Sequence, residues 1–127
     1  MRTIKFRGFH ANETGETVIK LNGKEIKGTW YYGDLSTDGG YYIQEHAVLP
    51  ETVGQYINKN DLNGQELYEG DAVRNTYSET IFIVSYTSKA SFVAKRDIFF
   101  LDLSYPESSR EVIGNIYENP ELLEVEK

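Results

Sequence analysis

The sequence predicts a mainly β protein: short antiparallel strands, a small bent barrel in the C-terminal half and a short C-terminal helix. Three observations carry that prediction. β-Branched and aromatic residues recur in short alternating runs, as strands with one buried face require. Turn signals such as Asn22-Gly23 and Asp38-Gly39-Gly40 punctuate those runs. The first half contains no convincing helical repeat.

Arg2-Thr-Ile-Lys-Phe-Arg-Gly-Phe9 opens as a strand, with Ile4 and Phe6 on one side and Lys5 and Arg7 on the other. The plain reading is a half-buried strand with a solvated basic face. The functional one is a binding stripe of Arg2, Lys5 and Arg7. Residues 10–16 read as a loop, with Asn12 and Gly15 as turn residues. Val18 to Ile26 has the form of a hairpin, because Asn22-Gly23 supplies the two positive-φ positions of a tight type I′ turn. Gly28 is expected to end that arm, and Gly28 to Leu35 to form a separate strand carrying Trp30, Tyr31 and Tyr32. Asp38-Gly39-Gly40 then turns into Tyr41-Tyr42-Ile43.

Val53 to Ile57 is a further strand. Leu62-Asn63-Gly64-Gln65-Glu66-Leu67 repeats the pattern of Leu21-Asn22-Gly23-Lys24-Glu25-Ile26, which shared turn chemistry explains without a duplication. In Glu69-Gly70-Asp71 the glycine permits a kink and the aspartate can accept from nearby backbone N–H groups. Strands are expected at Ala72-Val73, Thr80–Tyr86, Ser91–Ala94, Ile98–Leu101 and Glu111–Ile116. A Gly-Asp-x-Val step, an apolar strand, a turn and Phe-Val suit an SH3-like barrel from about residue 65 onward. Asn119-Pro120-Glu121-Leu122-Leu123 predicts the helix, with Asn as N-cap and Pro at the first position.

Length and composition set the bounds. The 127 residues fit one domain, 1–127, within which residues 1–60 are expected as a β subdomain packed on a barrel formed by residues 61–127. The chain has no cysteine, which removes disulfides, thiolate metal sites and a cysteine nucleophile. No apolar run is long enough to span a membrane, and the N-terminus lacks the apolar core of a signal peptide, so an intracellular compartment is expected. Net charge is −7, all of it in residues 61–127. An acidic half opposes phosphate backbones at long range and disfavours nucleic acid as a partner.

Three segments together resemble the YopX family of bacteriophage and prophage proteins. They are Met-Arg-x-Ile-Lys-Phe-Arg-Gly with Trp30-Tyr31-Tyr32-Gly33-Asp34-Leu35; Val53-Gly54-Gln55-Tyr56 with Asp61-Leu62-Asn63-Gly64 and Leu67 to Val73; and Val112 to Leu123. One departure is a longer thread from Thr17 to Lys27 before the tryptophan strand. The resemblance implies a mostly β fold, an origin in a phage or prophage and so the cytoplasm of a bacterial host. It implies no catalytic residue.

The residues themselves point to no reaction. His10 and His46 read as exposed loop histidines without ligand spacing. Neither Gly-x-Ser-x-Gly nor a phosphate-binding Gly-rich loop is present. Glu66, Glu69 and Asp71 could hold a cation or do acid–base work, but they read better as turn residues. No metal or cofactor is therefore expected, and no enzyme. Ten tyrosines and one tryptophan exceed what a small β core can bury with every hydroxyl satisfied. Trp30, Tyr31, Tyr32, Tyr41 and Tyr42 are the candidate interface, since amphipathic rings suit protein–protein contacts; cross-strand aromatic pairing within the sheet explains them equally well. The expected function is an accessory protein that binds protein, itself included. The alternatives are a nucleic-acid-associated small β-barrel module using Arg2, Lys5, Arg7 and exposed tyrosines, and an enzyme with an unrecognised site.

Overall fold

The computed structural model describes residues 3–86, 92–96 and 99–123. It is mainly β, built from antiparallel sheets that include a curled half-barrel, and among the described residues the helical elements are all 3-10 turns. The chain divides into two compact units, Met1–Tyr56 and Ile57–Lys127.

In the first unit, β1 (Phe6–Ala11), β2 (Thr17–Leu21) and β3 (Lys24–Gly33) form a sheet with β3 in the middle. β1 pairs antiparallel with the second half of β3, from Phe6 opposite Gly33 to Ala11 opposite Gly28. β2 pairs with the first half, from Thr17 opposite Gly28 to Leu21 opposite Lys24. So β1 and β2 run in the same direction along opposite sides of one ten-residue strand, and the loop between them crosses β3 at Gly28. A Cβ at Gly15 would lie 2.3 Å from the Gly28 carbonyl oxygen, so only glycine lets the two backbones pass. Gly28 is therefore the midpoint of one strand and not the boundary that the sequence suggests.

The β2–β3 turn is the two-residue one expected, with φ of 52° at Asn22 and 81° at Gly23. β4 (Leu35–Ser36), β5 (Tyr42–Ile43) and β6 (His46–Ala47) form a small sheet of their own. A 3-10 turn at Pro50–Thr52 follows, and Thr52 Oγ1 accepts from the Phe9 N–H at 2.9 Å. Phe9, Ile19, Ile43 and Val48 are buried here. β7 (Gly54–Asn60) begins beside β1, with Gln55 opposite Phe6.

In the second unit, β8 (Glu66–Tyr68) is followed by β9 (Asp71–Asn75), β10 (Ile81–Tyr86), β11 (Phe92–Arg96), β12 (Phe99–Leu101) and β13 (Arg110–Asn115). Five of them make an antiparallel sheet in the order β12-β11-β10-β9-β13. Ile57, Leu67, Val73, Phe82, Val84, Ala94 and Leu101 form its core, with Leu103 and Val112 packed against it. Ser91 and Ile98, expected as strand starts, lie outside the described residues. β13 is bulged between Val112 and Gly114.

The expected C-terminal helix is a 3-10 turn at Pro120–Leu123 within the described residues. Asn119, the anticipated N-cap, turns its side chain back instead: Oδ1 accepts from the Asn115 N–H at 3.2 Å. A Cβ at Gly114 would sit 2.2 Å from that oxygen, so the bulge glycine makes room for it. The cap is spent on β13, and a segment this short has too few internal bonds to propagate a helix unaided.

Candidate interaction surface

Of the sequence-predicted rings, Trp30, Tyr31 and Tyr32 alternate between the two faces of β3, while Tyr41 lies just before β5 and Tyr42 begins it. Trp30 and Tyr32 share a face with Arg7 and Phe9, as the register requires. Phe9 meets Trp30 edge to face at 5.2 Å, and the Arg7 guanidinium lies 4.9 Å from the Trp30 ring centre. Arg7 is 5% exposed, so its charge is turned onto an aromatic ring rather than presented to solvent. Lys5 Nζ stands 5.5 Å from the centre of the Tyr56 ring. Arg2 lies outside the described residues. The solvated basic face expected on this strand is thus corrected at Arg7. The alternation is as expected, but the side carrying Arg7 also carries Phe9 and faces inward.

Tyr31 projects from the opposite face and stacks on His46, with ring centres 4.0 Å apart and planes at 9°. His10 completes the cluster, 5.2 Å from His46 and 5.9 Å from Tyr31. His10 Nδ1 is 2.7 Å from the Ala47 carbonyl oxygen. A carbonyl only accepts, so Nδ1 carries the proton and donates, leaving Nε2 as the second nitrogen. The two histidines are therefore strand residues, half-buried side by side, and not separate exposed loop residues. Nothing in their local sequence shows this, because the neighbourhood is created when β6 folds over β1 and β3. Among the described residues no group of three or more His, Cys, Asp or Glu side chains could hold a metal ion.

Tyr32 is 43% exposed and Tyr41 41%, while Trp30, Tyr31 and Tyr42 are half-buried. Tyr42 packs its ring against Gly40, where a Cβ would come within 3.0 Å. Sequence reasoning missed two larger exposures in the second unit: Tyr77 at 79% and Tyr105 at 57%. Tyr77 sits on the turn between β9 and β10. Thr76 there donates its N–H to the Ser109 carbonyl at 3.0 Å and its hydroxyl to the Ser108 carbonyl at 2.8 Å.

A buried polar frame organises that second unit. Asp61 is completely buried, and its Oδ1 accepts from the N–H groups of Asn63 and Gln65, each at 2.9 Å. Oδ2 accepts from the Val112 N–H at 2.9 Å, tying the turn to β13. Arg110, equally enclosed, donates from Nε to the Asn60 carbonyl at 2.8 Å and from Nη1 to the Tyr105 carbonyl at 3.1 Å. Burial lowers its pKa, and the nearby Glu107 and Asp61 charges oppose that shift. Of the motif carboxylates, Asp71 is buried and accepts from the Tyr68 N–H at 2.8 Å, closing the turn at Gly70, whose φ is 91°. Glu66 accepts from the Tyr68 hydroxyl at 2.8 Å.

Near the rim, Asp102 accepts from the Ser104 hydroxyl at 2.6 Å and from the Ser104 N–H at 2.9 Å. Those bonds, the hydroxyl first, hold the Asp102 carboxyl below its ordinary value. A depressed folded-state pKa adds stability above the unfolded value, and that stability is lost as pH falls through the folded value. Ser104→Ala is expected to move the Asp102 titration upward, since the hydroxyl is the larger cause of the depression and only the backbone bond remains, read by NMR of the carboxyl carbon. An unchanged midpoint would remove the hydroxyl as the cause.

The family model described as YopX protein matches residues 5–124. The chain belongs to the YopX family. A solved structure, protein EF1440 from Enterococcus faecalis, is similar over 97% of this chain and 99% of its own, at 22% identity and a TM-score of 0.52. At that identity the likeness shows the fold alone. No functionally curated protein is significantly similar to the chain. Among the described residues no helix is long and apolar enough to cross a membrane.

Proposed function

We propose that this YopX-family protein is a non-enzymatic accessory protein of a phage or prophage, acting in the bacterial cytoplasm by binding polypeptide, itself included. We also read its C-terminal half as an SH3-like small barrel left partly open, which the five-stranded antiparallel order β12-β11-β10-β9-β13 supports. The observation that carries the functional reading is the exposure of Tyr32 and Tyr41 in the first unit. Tyrosine loses little conformational entropy on binding and offers a large apolar face with a polar tip, so exposed rings of this kind are favoured at interfaces.

The experiment is the solution mass of the full chain against concentration, for the parent and for Tyr32→Ala with Tyr41→Ala. Self-association is expected in the parent and weaker by about tenfold or more in the double variant, since interface tyrosines are common hot spots. A double variant that associates like the parent would take the tyrosines out of the interface.

A further inference from the structure

We infer that the outer edge of β2 is a strand-addition site for a second copy of this chain, the two β2 strands pairing antiparallel about a two-fold axis at Ile19. The inference rests on the self-association proposed above and gives it a location.

The register fixes which way the β2 backbone groups point. Leu21 and Lys24 close a two-residue turn, so they are a hydrogen-bonded pair, as are Ile19 with Ile26 and Thr17 with Gly28. The Asn12 N–H donates to the Lys27 carbonyl, on the side of β3 away from β2, which agrees with Val18 opposite Lys27 being the alternate kind of pair. Val18 and Lys20 therefore direct their N–H and C=O groups outward. β2 is the terminal strand of its sheet, so among the described residues that edge carries no further strand. Past Asn12, β1 no longer accompanies β3, and Thr17–Lys27 stands as a two-stranded arm.

A second copy fits the edge because the edge matches itself. With the two-fold axis at Ile19, Val18 lies opposite Lys20 of the second copy, and Lys20 opposite its Val18. Both are the outward-pointing residues, so each pair exchanges both of its backbone hydrogen bonds. Neither pair sets like charge against like. Val18, 41% exposed, gains the aliphatic stem of a lysine that is the register partner of Glu25 on β3 in its own copy. Five residues a side bury less than the roughly 1,000 Å² of a permanent interface, so the pair is expected to form reversibly with concentration.

The test is solution mass against concentration together with backbone amide exchange, on the parent, Val18→Lys and Val18→Glu. The two substitutions are similarly polar and differ in sign. Lysine at 18 sets two like-charge pairs across the axis, whereas glutamate sets two opposite ones. The expected result is that the Val18 and Lys20 amides exchange more slowly as concentration rises. Val18→Lys should weaken association by about tenfold while Val18→Glu keeps or tightens it. A self-associating protein whose Val18 and Lys20 amides are unprotected, or whose two variants behave alike, overturns the β2 pairing and leaves self-association standing. A parent that remains monomeric at every concentration overturns both.

Discussion

Asp61→Ala is expected to destabilise the second unit by about 3–5 kcal/mol, the larger part of what holds a small domain folded. The carboxylate is completely buried and accepts from Asn63, Gln65 and Val112. Alanine leaves three N–H groups, in part-buried positions, without that acceptor. It also removes a negative charge that acts on the enclosed Arg110 guanidinium. The Leu62 N–H to Arg110 carbonyl bond, at 3.0 Å, and the Arg110 Nε bond to Asn60 join the same two segments. The loss should therefore spread from the turn to β13.

Asparagine at 61 separates the causes. Its amide oxygen can still serve Asn63 and Gln65, but the nitrogen that replaces Oδ2 would meet the Val112 N–H donor to donor. Asp61→Asn should cost less than alanine, with exchange at the Val112 amide rising most. Urea titration gives the stability difference and hydrogen exchange gives its location. A loss below about 1 kcal/mol for alanine, the worth of an ordinary hydrogen bond, would mean that the frame is held elsewhere.

What could be read from the sequence follows the range of the forces involved. The Asn22-Gly23 turn was legible because its chemistry is local: both residues take positive φ, and nothing distant is needed. Gly70-Asp71 was legible for the same reason. Asn63-Gly64 looks like the first turn and is a different one. Asn63 keeps a negative φ, Gly64 alone takes the left-handed position at 79°, and Asp61 caps the turn from inside. Two dipeptides of one composition thus form a two-residue turn in one case and a longer, side-chain-capped turn in the other.

Gln44-Glu45 shows the opposite failure. With φ of 52° and 67° it forms a tight turn between β5 and β6 without glycine or asparagine, so no turn signal marks it. The Gln44 amide donates to the Tyr32 carbonyl, a long-range bond that supports the strained pair. The candidate surface was legible in the same partial way. An excess of tyrosines implied that some rings stay outside, and Tyr32 and Tyr41 do. Which rings was not legible, because Tyr31 finds His46 only in three dimensions. Arg7 could have been placed correctly, since Phe9 two residues on shares its face.

Gly28→Ala is the second substitution with a large expected effect. The added Cβ would lie 2.1 Å from the His10 carbonyl oxygen and 2.6 Å from Phe9 Cε2. Neither neighbour is a flexible chain end: one is backbone of the paired strand, and the other is a buried ring packed on Trp30. The Gly15 backbone closes on the same residue from the crossing loop. With pressure from both strand and loop, the cost belongs at the upper end of overpacking, about 3 kcal/mol. Gly23→Ala is the informative comparison. Nothing lies within 4 Å of a Cβ there, and only the positive φ resists it, at about 1 kcal/mol. Trp30 is the chain's one tryptophan, so its emission reports the region directly. Gly28→Ala should shift that emission to the red as the Phe9–Trp30 contact loosens, while Gly23→Ala leaves it in place. Equal stability losses for the two variants, with no shift in either, would mean that β1 and β2 do not exchange sides of β3 at this glycine.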